Sequence, residues 1–366
     1  MAVIGNQVLT LLDHAKRVDP DGKIGISNIV ETMNRVNAVT QDMSVIEGNT
    51  NIGHLTTLRT GLPAIAFRQL NIGVQPSKST TKQIHFGAGM LEGMSKVDER
   101  LVEMASDGVA LRQSEVMPFM EAMGQTIAST IFYGDTRVYP DRFTGLSAYY
   151  SKLNAAYQRN PEALSNPDAS SPQLPDSGRN VFDASQGGLY GTAGDGYNTS
   201  MWLVCWGGQG KGITAFYPKG TNAGIVHKDK GLWLVDDGRS LGASYWAWID
   251  QYKANLGLAV EDWRQAVRIA NIDVRALQSA GDDNDTSANL LKNAIQAVNY
   301  IQNPNNGKLV FYCNRIPHTY LEIKASNKSN SMLTFKEMED GRKVTMLAGV
   351  PIHRCDALLN TESSIT

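Results

Sequence analysis

The segment Gly207–Gly212 reads GGQGKG, and closely spaced glycines followed by a lysine are typical of loops that hold nucleotide phosphates. Such a loop needs Ser or Thr directly after its lysine to bind magnesium, but Gly212 follows Lys211 here. The motif also needs a glycine five residues before Gly210, where this chain has Cys205. The sequence therefore predicts a tight turn between two strands at this position.

The run His353-Arg354-Cys355-Asp356 places a thiol close to an imidazole, as a cysteine nucleophile and its general base would be. In a strand, however, successive side chains point to opposite faces, so His353 and Cys355 would share one face and Arg354 and Asp356 the other. We interpret the run as part of a structural strand.

Two further groups could bind a ligand. Asp282, Asp283 and Asp285 could attract a divalent cation, but no glutamate closes the run as in a calcium loop, so a solvated turn is expected. Trp246 and Trp248 could form a platform for a sugar, although tryptophans two apart in a strand more often pack within a sheet. The sequence predicts no cofactor and no catalytic or metal-binding residue, but missing motifs do not by themselves exclude an enzyme, because carboxylate-based hydrolases carry no linear signature.

The composition describes a folded chain of 366 residues with 34 Lys and Arg against 36 Asp and Glu, a formal net charge of -2. Proteins that hold nucleic acid through its phosphates usually carry an excess of basic residues, and this chain does not. No apolar run reaches the roughly 18 residues that indicate a membrane span. The three cysteines are isolated from one another in the sequence, so no disulfide framework is expected.

The most informative element is the stretch of residues 57–86. It predicts two extended arms, Ala64–Leu70 and Thr81–Phe86, which Asn71, Gly73 and Pro76 separate. A lone two-stranded ribbon is marginally stable in water and has two open edges, so this one is expected to lie on its own domain or on a neighbouring copy. A long enzyme lid is the alternative interpretation.

The remaining elements predict an α+β chain. Helices are expected at 6–17, at 28–38, from a cap at Ser95, from a second cap at Ser114 to Gly134, and at 286–302, with a loop-rich stretch over 158–198. Strands are expected at Ser200–Trp206, Ile213–Tyr217, Ile225–His227 and Leu232–Val235, arranged as an antiparallel meander, and at Tyr245–Leu256, Val260–Val274, Leu309–Cys313 and Val344–Ile352.

Five phrases of the chain resemble the major capsid proteins of tailed bacteriophages, which adopt the Hong Kong 97-type shell fold. They are RTGLPAIAFRQLNIGVQPSKSTTKQI (59–84), FYGDTRVYPDRFTGLSAYY (132–150), GLAVEDWRQAVRIANIDV (257–274), LVFYCNR (309–315) and GRKVTMLAGVPIHRCDALLNTE (341–362). The resemblance covers nearly the whole chain in the same order.

The resemblance implies an α+β fold of that type, with an N-terminal arm, an extended β-hairpin loop, a long spine helix in a peripheral domain, and an axial domain. The implied segments are the arm (1–43), the extended loop (44–91), the peripheral domain with its spine helix (92–150), a loop-rich insertion (151–199), a β-rich segment shared by the peripheral and axial domains (200–274), the axial domain (275–343), and the closing peripheral strand with the C-terminus (344–366).

The implied function is self-assembly through pentamers and hexamers into the icosahedral head shell of a tailed phage, enclosing packaged double-stranded DNA without sequence-specific binding. The implied partners are further copies of the chain, a portal protein, and a separate scaffolding or decoration protein, with no membrane involved. The chain would be assembled in the host cytoplasm and would reside in the virion. A tail or decoration protein, or less favourably a glycan-active hydrolase, is the alternative.

Contacts between copies are expected along the extended loop. Its apolar side chains would pack against a neighbour, and its cations would meet acids such as Glu99, Asp135 or Asp141 of adjacent copies. The contact residues predicted on this basis are Arg59, Leu62, Phe67, Arg68, Leu70, Ile72, Lys78 and Lys82. One relative of this fold class joins a loop lysine to a neighbour's asparagine, but no matching motif accompanies Lys78 or Lys82, so no such crosslink is expected.

Overall fold

A computed structural model describes most of the chain. The described residues are 35–105, 107–153, 180–185, 196–208, 210–236, 243–279, 285–326, 333–337 and 343–365. The helices predicted at 6–17 and over most of 28–38 lie outside them, as do most of the loop-rich stretch and the side chains of the acidic run 282–285.

The chain divides into two compact units. Unit 1 is built from Met90–Ile127 and Asn222–Asn255, and unit 2 from Val36–Gly89, Ala128–Thr221 and Leu256–Thr366. The seven segments implied by the sequence remain a prediction.

Thirteen strands are found among the described residues. They are β1 (Val45–Glu47), β2 (Gly53–Gly61), β3 (Thr80–Asp98), β4 (Val181–Asp183), β5 (Asn198–Gly207), β6 (Ile213–Tyr217), β7 (Ile225–Asp236), β8 (Ser244–Val260), β9 (Ala266–Asp273), β10 (Gly307–Cys313), β11 (Leu333–Glu337), β12 (Lys343–Leu347) and β13 (Val350–Arg354).

Most helices within the described ranges lie in two parts of the chain, between β3 and β4 and between β9 and β11. The helices of these ranges are α1 (Val39–Asp42), α2 (Glu99–Met104), α3 (Gly108–Ser114), α4 (Val116–Tyr133), α5 (Leu146–Tyr149), α6 (Val274–Ser279), α7 (Asp285–Tyr300) and α8 (Arg315–Ser326), with short 3₁₀ turns at Trp263–Gln265 and Pro304–Asn306.

The sheet of unit 2 is organised around β5, whose ten residues are all buried. Strand β5 pairs antiparallel with β9 on one side and with β10 on the other. Strand β10 then pairs in parallel with β13, which continues antiparallel to β12 and β11. A strand with neighbours on both edges and cover on both faces needs apolar residues at nearly every position, and MWLVCW within β5 meets that need.

The predicted antiparallel meander is wrong. Strand β6 runs parallel to β5 and β1, and it pairs antiparallel with the end of β8. Strand β7 is one continuous strand paired with β8. Glycine-rich turns mark where strands end, but long-range burial decides which strands become neighbours, so local turn signals could not supply the pairing.

Helix α7 confirms the predicted amphipathic helix near 286–302. Its buried residues Leu290, Ala294 and Ala297 pack with β9 and β10 in a hydrophobic core cluster of unit 2, and Leu291 and Val298 border that cluster. The three- and four-residue spacing of these side chains gives one apolar face, which is the face that the sheet covers.

A buried ion pair holds the C-terminal segment on this sheet. Arg268 Nη2 of β9 lies 2.8 Å from Glu362 Oε2, and both side chains are only 6% exposed. The hydroxyls of Ser200 and Tyr133 also donate to the Glu362 carboxylate, and Arg268 donates to the Tyr150 carbonyl. A buried pair is tolerable only when its remaining polar atoms are satisfied in this way.

The segment from Val36 to Glu47 is fixed across the same sheet. Asn37 Oδ1 accepts a hydrogen bond from the backbone of Ala357 beyond β13, and β1 pairs in parallel with β6. Between these points Asp42, at the end of α1, contacts side chains from β10 and β13.

In unit 1, strand β3 runs to Asp98, and α2 begins only after it. The Asp98 side chain accepts from the backbone of Arg100, so the predicted cap at Ser95 is wrong, and Ser95 is buried within the strand. Asp107 caps α3 in the same manner, and Ser114 ends α3 instead of capping α4. Ser95 and Asp98 are both acceptable N-caps by residue type. Because Val97 is buried within strand β3, helix α2 begins only after Asp98.

The core of unit 1 lies between α4 and the β7–β8 ribbon. Phe119 and Tyr252 stack with ring centroids 4.8 Å apart, next to Met123. Arg112 of α3 binds Asp250 of β8 and Asp229 of β7 at 2.9 and 2.8 Å, and its guanidinium lies over the Trp248 ring. These contacts attach helix α3 to the ribbon.

Candidate assembly interface

The extended loop predicted from the sequence is present, with its paired arms displaced from the expected positions. Strand β2 pairs with β3 from Gly53↔Gly87 to Gly61↔Thr80. The predicted second arm, Thr81–Phe86, lies in β3, but Ala64–Leu70 belongs to no strand, so the first arm was placed too late. Residues 53–61 contain three threonines, a histidine and an arginine among few apolar residues, which hid the true arm.

The connecting loop, residues 62–79, exposes an unusual amount of apolar side chain. Phe67 is fully exposed, Ile65 is 92% exposed and Leu70 is 89% exposed. Leu62, Ile72 and Val74 are also exposed by more than half. Single exposed apolar residues are ordinary on protein surfaces, but a contiguous group of this size indicates a surface that another molecule covers.

The paired arms and the connecting loop of this hairpin lack acids. Residues 48–91 contain four Lys and Arg and no Asp or Glu. All four cations, Arg59, Arg68, Lys78 and Lys82, are exposed. A surface that combines one sign of charge with exposed apolar side chains favours a partner surface of the opposite sign.

Few bonds shape the loop beyond the strands. Ser77 Oγ donates to the Ala64 carbonyl at 2.7 Å, and the backbone of Ile72 donates to Gln69 at 3.3 Å. Asn71 takes a left-handed conformation (φ 68°), which asparagine tolerates better than most residues and which produces the turn. The loop therefore has a defined turn but little internal packing.

The root of the hairpin is much more firmly held. The hydroxyls of Thr60 and Thr80 lie 3.2 Å apart across the strands, beside a register irregularity between Arg59 and Gly61. A Cβ at position 61 would lie 2.5 Å from Thr80 Oγ1, so a larger residue here would displace the Thr80 side chain from its contact with Thr60.

A buried carboxylate anchors β2 to unit 2. Glu261 Oε1 lies 3.0 Å from His54 Nε2 and accepts from Thr56 Oγ1 at 2.9 Å, and Glu261 Oε2 accepts from the backbone of Gly210. Glu261 and His54 are both almost completely buried. A carboxylate removed from water with several donors on it forms strong hydrogen bonds, so this contact fixes where the hairpin leaves the sheet.

A cavity of about 530 Å³ lies at the same root. Leu58 and Leu62 of the hairpin, Glu261, Trp263 and Arg264 are among the residues that line it. Arg264 binds Asp262 at 2.9 Å, and this pairing raises the pKa of the arginine. The cavity thus combines aromatic, aliphatic and charged groups at the base of the exposed loop.

All eight predicted contact residues are exposed on the hairpin, as an intermolecular role requires. Arg59 lies on β2 and Lys82 on β3, and the other six lie in the connecting loop. Their contacts with another copy remain a prediction. Among the acids proposed as their partners, Asp135 is bound by Arg137 of its own chain at 2.8 Å, and that hydrogen bond lowers the pKa of the carboxyl.

The sequence did not identify the Glu261 anchor or the exposure of Val74. Glu261 is separated from His54 by 207 residues, so no local pattern could connect them. Val74 continues the two-residue spacing of Leu70 and Ile72, and this spacing could have identified it as a further apolar residue of the loop.

The other chemical motifs have structural roles. The predicted turn at 207–212 is confirmed, with Lys211 donating its backbone N–H to the Gly208 carbonyl at 3.0 Å. Burial raises the pKa of the Cys355 thiol to about 12, so this group is a poor nucleophile at neutral pH. Trp246 and Trp248 lie opposite Leu234 and Leu232 across the β7–β8 ribbon, which is the predicted packing between strands.

Within the described ranges, no group of three or more His, Cys, Asp or Glu side chains could hold a metal ion. None of the described helices is long and apolar enough to cross a membrane.

Comparison with known proteins identifies relatives over the whole chain. The family described as major capsid protein GP7 matches residues 19–366. Among solved structures, a chain of bacteriophage epsilon15 is 28% identical, covers 100% of both chains and gives a TM-score of 0.72. The capsid of bacteriophage JBD30 is 11% identical, over 93% of this chain and 99% of that chain (TM-score 0.46). A capsid chain of an empty GTA particle is 12% identical, over 71% and 97% (TM-score 0.37). No match is found among curated proteins.

Proposed function

This chain belongs to the major capsid protein GP7 family and is a structural protein of a phage head shell, and on that premise we propose that its 44–91 hairpin joins each copy to the next. The α+β fold of Hong Kong 97 type is confirmed by the likeness to the epsilon15 chain. Membership of this family means that the chain assembles from multiple copies. It does not identify which surfaces of each copy make the contacts.

The observation that carries the proposal is the exposure of residues 62–74. Leu62, Ile65, Phe67 and Leu70 are each more than four-fifths exposed. Covering one such side chain contributes about 1.5–3 kcal/mol, so covering several gives an interface its main driving force. Exposed ion pairs from the hairpin cations would add only about 0–1 kcal/mol each and would chiefly orient the contact.

The hairpin is suited to a shell built from one kind of chain. The root is fixed by Glu261 and by the close strand approach at Gly61, while the loop beyond carries few internal bonds. We infer that a fixed root and an adaptable loop let one chain form both pentamers and hexamers, because the angle between neighbours differs between the two.

The remaining parts of the function are proposed on the family alone. The shell would enclose double-stranded DNA without sequence-specific binding, and the near-neutral formal charge of -2 is consistent with an inner surface that releases DNA. A portal protein and a separate scaffolding or decoration protein are the further partners, assembly takes place in the host cytoplasm, and no catalytic turnover is involved.

The hairpin contact is tested with a pair of double variants. Phe67→Ser with Leu70→Ser removes two highly exposed apolar side chains of the loop, and Phe67→Leu with Leu70→Met keeps the positions apolar. Both positions are exposed, so neither variant should affect folding of the isolated chain. Negative-stain microscopy and sedimentation velocity would then measure assembly.

We expect closed shells from the parent and from the Leu/Met variant, and unassembled subunits from the Ser/Ser variant at the same concentration. Closed shells from the Ser/Ser variant would show that the loop is not the contact.

A further inference from the structure

Helix α4 is followed by an exposed loop of unit 2 that is held in one shape. Every residue from 136 to 142 is exposed. At the start of this loop Arg137 binds Asp135 at 2.8 Å. At its base the backbone N–H of Gly145 donates to the Gly134 carbonyl at 2.8 Å, which closes the loop. We call residues 136–142 the anchored loop.

The anchored loop exposes two apolar side chains and an acid. Val138 is 63% exposed and Tyr139 is 52% exposed, and the Arg142 guanidinium lies over the Tyr139 ring, 4.5 Å from its centroid. Asp141 is exposed and forms no ion pair with the described residues. A tyrosine on a loop that is already ordered loses little conformational entropy on binding, which is typical of the residues that anchor interfaces.

The cavity at the hairpin root has the complementary chemistry. Its apolar lining residues are Leu58, Leu62 and Trp263. Its two acids are already bound within the chain, Glu261 by donors that include Thr56 of β2, and Asp262 by Arg264. Arg59 also lines the cavity, is exposed, and forms no ion pair within the described ranges. The volume of about 530 Å³ lies in the range of cavities that enclose a ligand.

We propose that this cavity receives the anchored loop of a second copy of this chain. Tyr139 would pack against Trp263, and Asp141 would pair with Arg59, so that the unmatched anion of the loop meets the unmatched cation of the cavity. No residue of the anchored loop lines the cavity of its own chain, so the occupant comes from another copy. The inference rests on the proposed function and adds a second contact to it.

The contact joins two different surfaces of the same chain. Each copy would offer its anchored loop to one neighbour and its cavity to the next, which is a head-to-tail contact. Such contacts close into rings when the rotation between neighbours permits it, whereas a contact between identical surfaces stops at a dimer. The proposed loop and cavity therefore connect copies within one pentamer or hexamer.

The first test is chemical crosslinking of assembled shells. Leu62→Cys with Val138→Cys places one thiol at the cavity and one on the anchored loop, and it leaves Arg59 and Asp141 in place. The three native cysteines are buried, so a short bismaleimide should react with them only slowly. We expect a denaturing gel of the double variant to show a ladder of linked chains that ends at pentamers and hexamers. Each single variant should give monomers.

Closed shells of the double variant that give only monomer bands would overturn the contact between loop and cavity while leaving the proposed function standing. A ladder that stops at dimers would also overturn it, because the contact would then not run head to tail. A parent chain that forms no shells would contradict the proposed function itself.

The second test exchanges the two charges and removes the ring. We expect Arg59→Asp and Asp141→Arg each to slow assembly about tenfold, and their combination to restore most of the rate. Tyr139→Ser should slow assembly to a similar degree, whereas Tyr139→Phe, which keeps the ring, should assemble at the parent rate. Slowing by Asp141→Arg without rescue by Arg59→Asp would place the anchored loop on another surface. Parent rates for both Tyr139→Ser and Asp141→Arg would show that the loop makes no contact.

Discussion

At the scale of single residues, Asp42 is the group on which the N-terminal segment of unit 2 depends most. Its carboxylate lies 2.5 Å from Lys308 Nζ and 2.5 Å from His353 Nδ1, and it accepts from the Tyr312 hydroxyl at 2.9 Å. The Asp42 side chain is only 5% exposed, so these bonds form in a largely water-free setting. One carboxylate thus joins α1 to both β10 and β13.

This arrangement gives a definite pH dependence. Burial alone would raise the pKa of the Asp42 carboxyl, but the hydrogen bonds from His353, Lys308 and Tyr312 outweigh it, and the pKa lies below its usual value. A carboxyl with a depressed folded pKa contributes stability that is present above its unfolded pKa, near 3.9, and is lost as the pH falls through the folded value.

We therefore expect Asp42→Asn to lower the free energy of unfolding of the isolated subunit by about 1–3 kcal/mol at pH 7, because hydrogen bonds to a charged group are lost. The difference from the parent should shrink as the pH is lowered below about 4, because the Asp42 carboxyl of the unfolded parent then takes up a proton while that of the folded parent stays charged to lower pH. Urea unfolding at several pH values measures it, with Asp141→Asn, at an exposed carboxylate, as the control. A difference that stays constant down to pH 3 would contradict this assignment.

At the scale of elements, the hairpin combines a fixed root with a sparsely bonded loop. Glu261 receives hydrogen bonds from Thr56 and from the Gly210 backbone, and it lies beside His54. His54 Nδ1 has no hydrogen-bond partner among the described residues, whereas His54 Nε2 lies 3.0 Å from the Glu261 carboxylate, so the ring is held to the hairpin root through Nε2.

We expect Glu261→Gln to loosen the root without unfolding unit 2. An amide keeps the size of the side chain, but it replaces hydrogen bonds to a charged group, which contribute about 1.5–3 kcal/mol each, with weaker bonds to a neutral group. Amide hydrogen exchange in β2 and at 80–86 of β3 should then accelerate about tenfold to a hundredfold, while exchange in β5 and β9 is unchanged. Arg264→Gln, which alters an exposed ion pair nearby, should leave both regions at the parent rate.

Equal acceleration throughout unit 2 would mean that Glu261 supports the whole sheet and not the hairpin root. No acceleration in β2 would mean that the pairing of β2 with β3 is sufficient to hold the hairpin.

The elements differ in how far the sequence could predict them. Helix α7 and strand β10 were recovered because their apolar spacing is local and regular. The segment Ala64–Leu70 is mostly apolar, so the sequence predicts a strand arm there, yet its residues are exposed and belong to no strand. The true arm, β2, is polar and follows from its pairing with β3.

The capping residues show a related difficulty. Ser95 and Asp98 are both good N-caps, and only the burial of Val97 in the strand decides between them. The Glu261 anchor needed the tertiary fold, because its partners come from β2 and from the turn at Gly210. Local chemistry is therefore predictable where neighbours in sequence decide it, and not where distant strands do.

At the scale of the whole molecule, the small net charge conceals a strong separation of charge. The 44 residues from 48 to 91 hold four cations and no acid, so the rest of the chain has 30 Lys and Arg against 36 Asp and Glu, a formal charge of -6. Copies of the chain can thus attract one another through a positive hairpin and a negative body, although the whole molecule is almost neutral.

This separation predicts that assembly slows as salt is added. Screening shortens the range of charge interactions to about 10 Å at 0.1 M ionic strength, which lowers the rate of electrostatically guided encounters more than the strength of apolar contacts. We expect the initial assembly rate, followed by light scattering, to fall about tenfold between roughly 50 and 500 mM salt. Arg68→Gln with Lys78→Gln should assemble slowly and depend little on salt. Lys219→Gln with Lys228→Gln removes two exposed cations elsewhere and should keep the parent's dependence. Equal salt dependence in both double variants would show that overall charge, and not the hairpin, guides the encounter of the subunits.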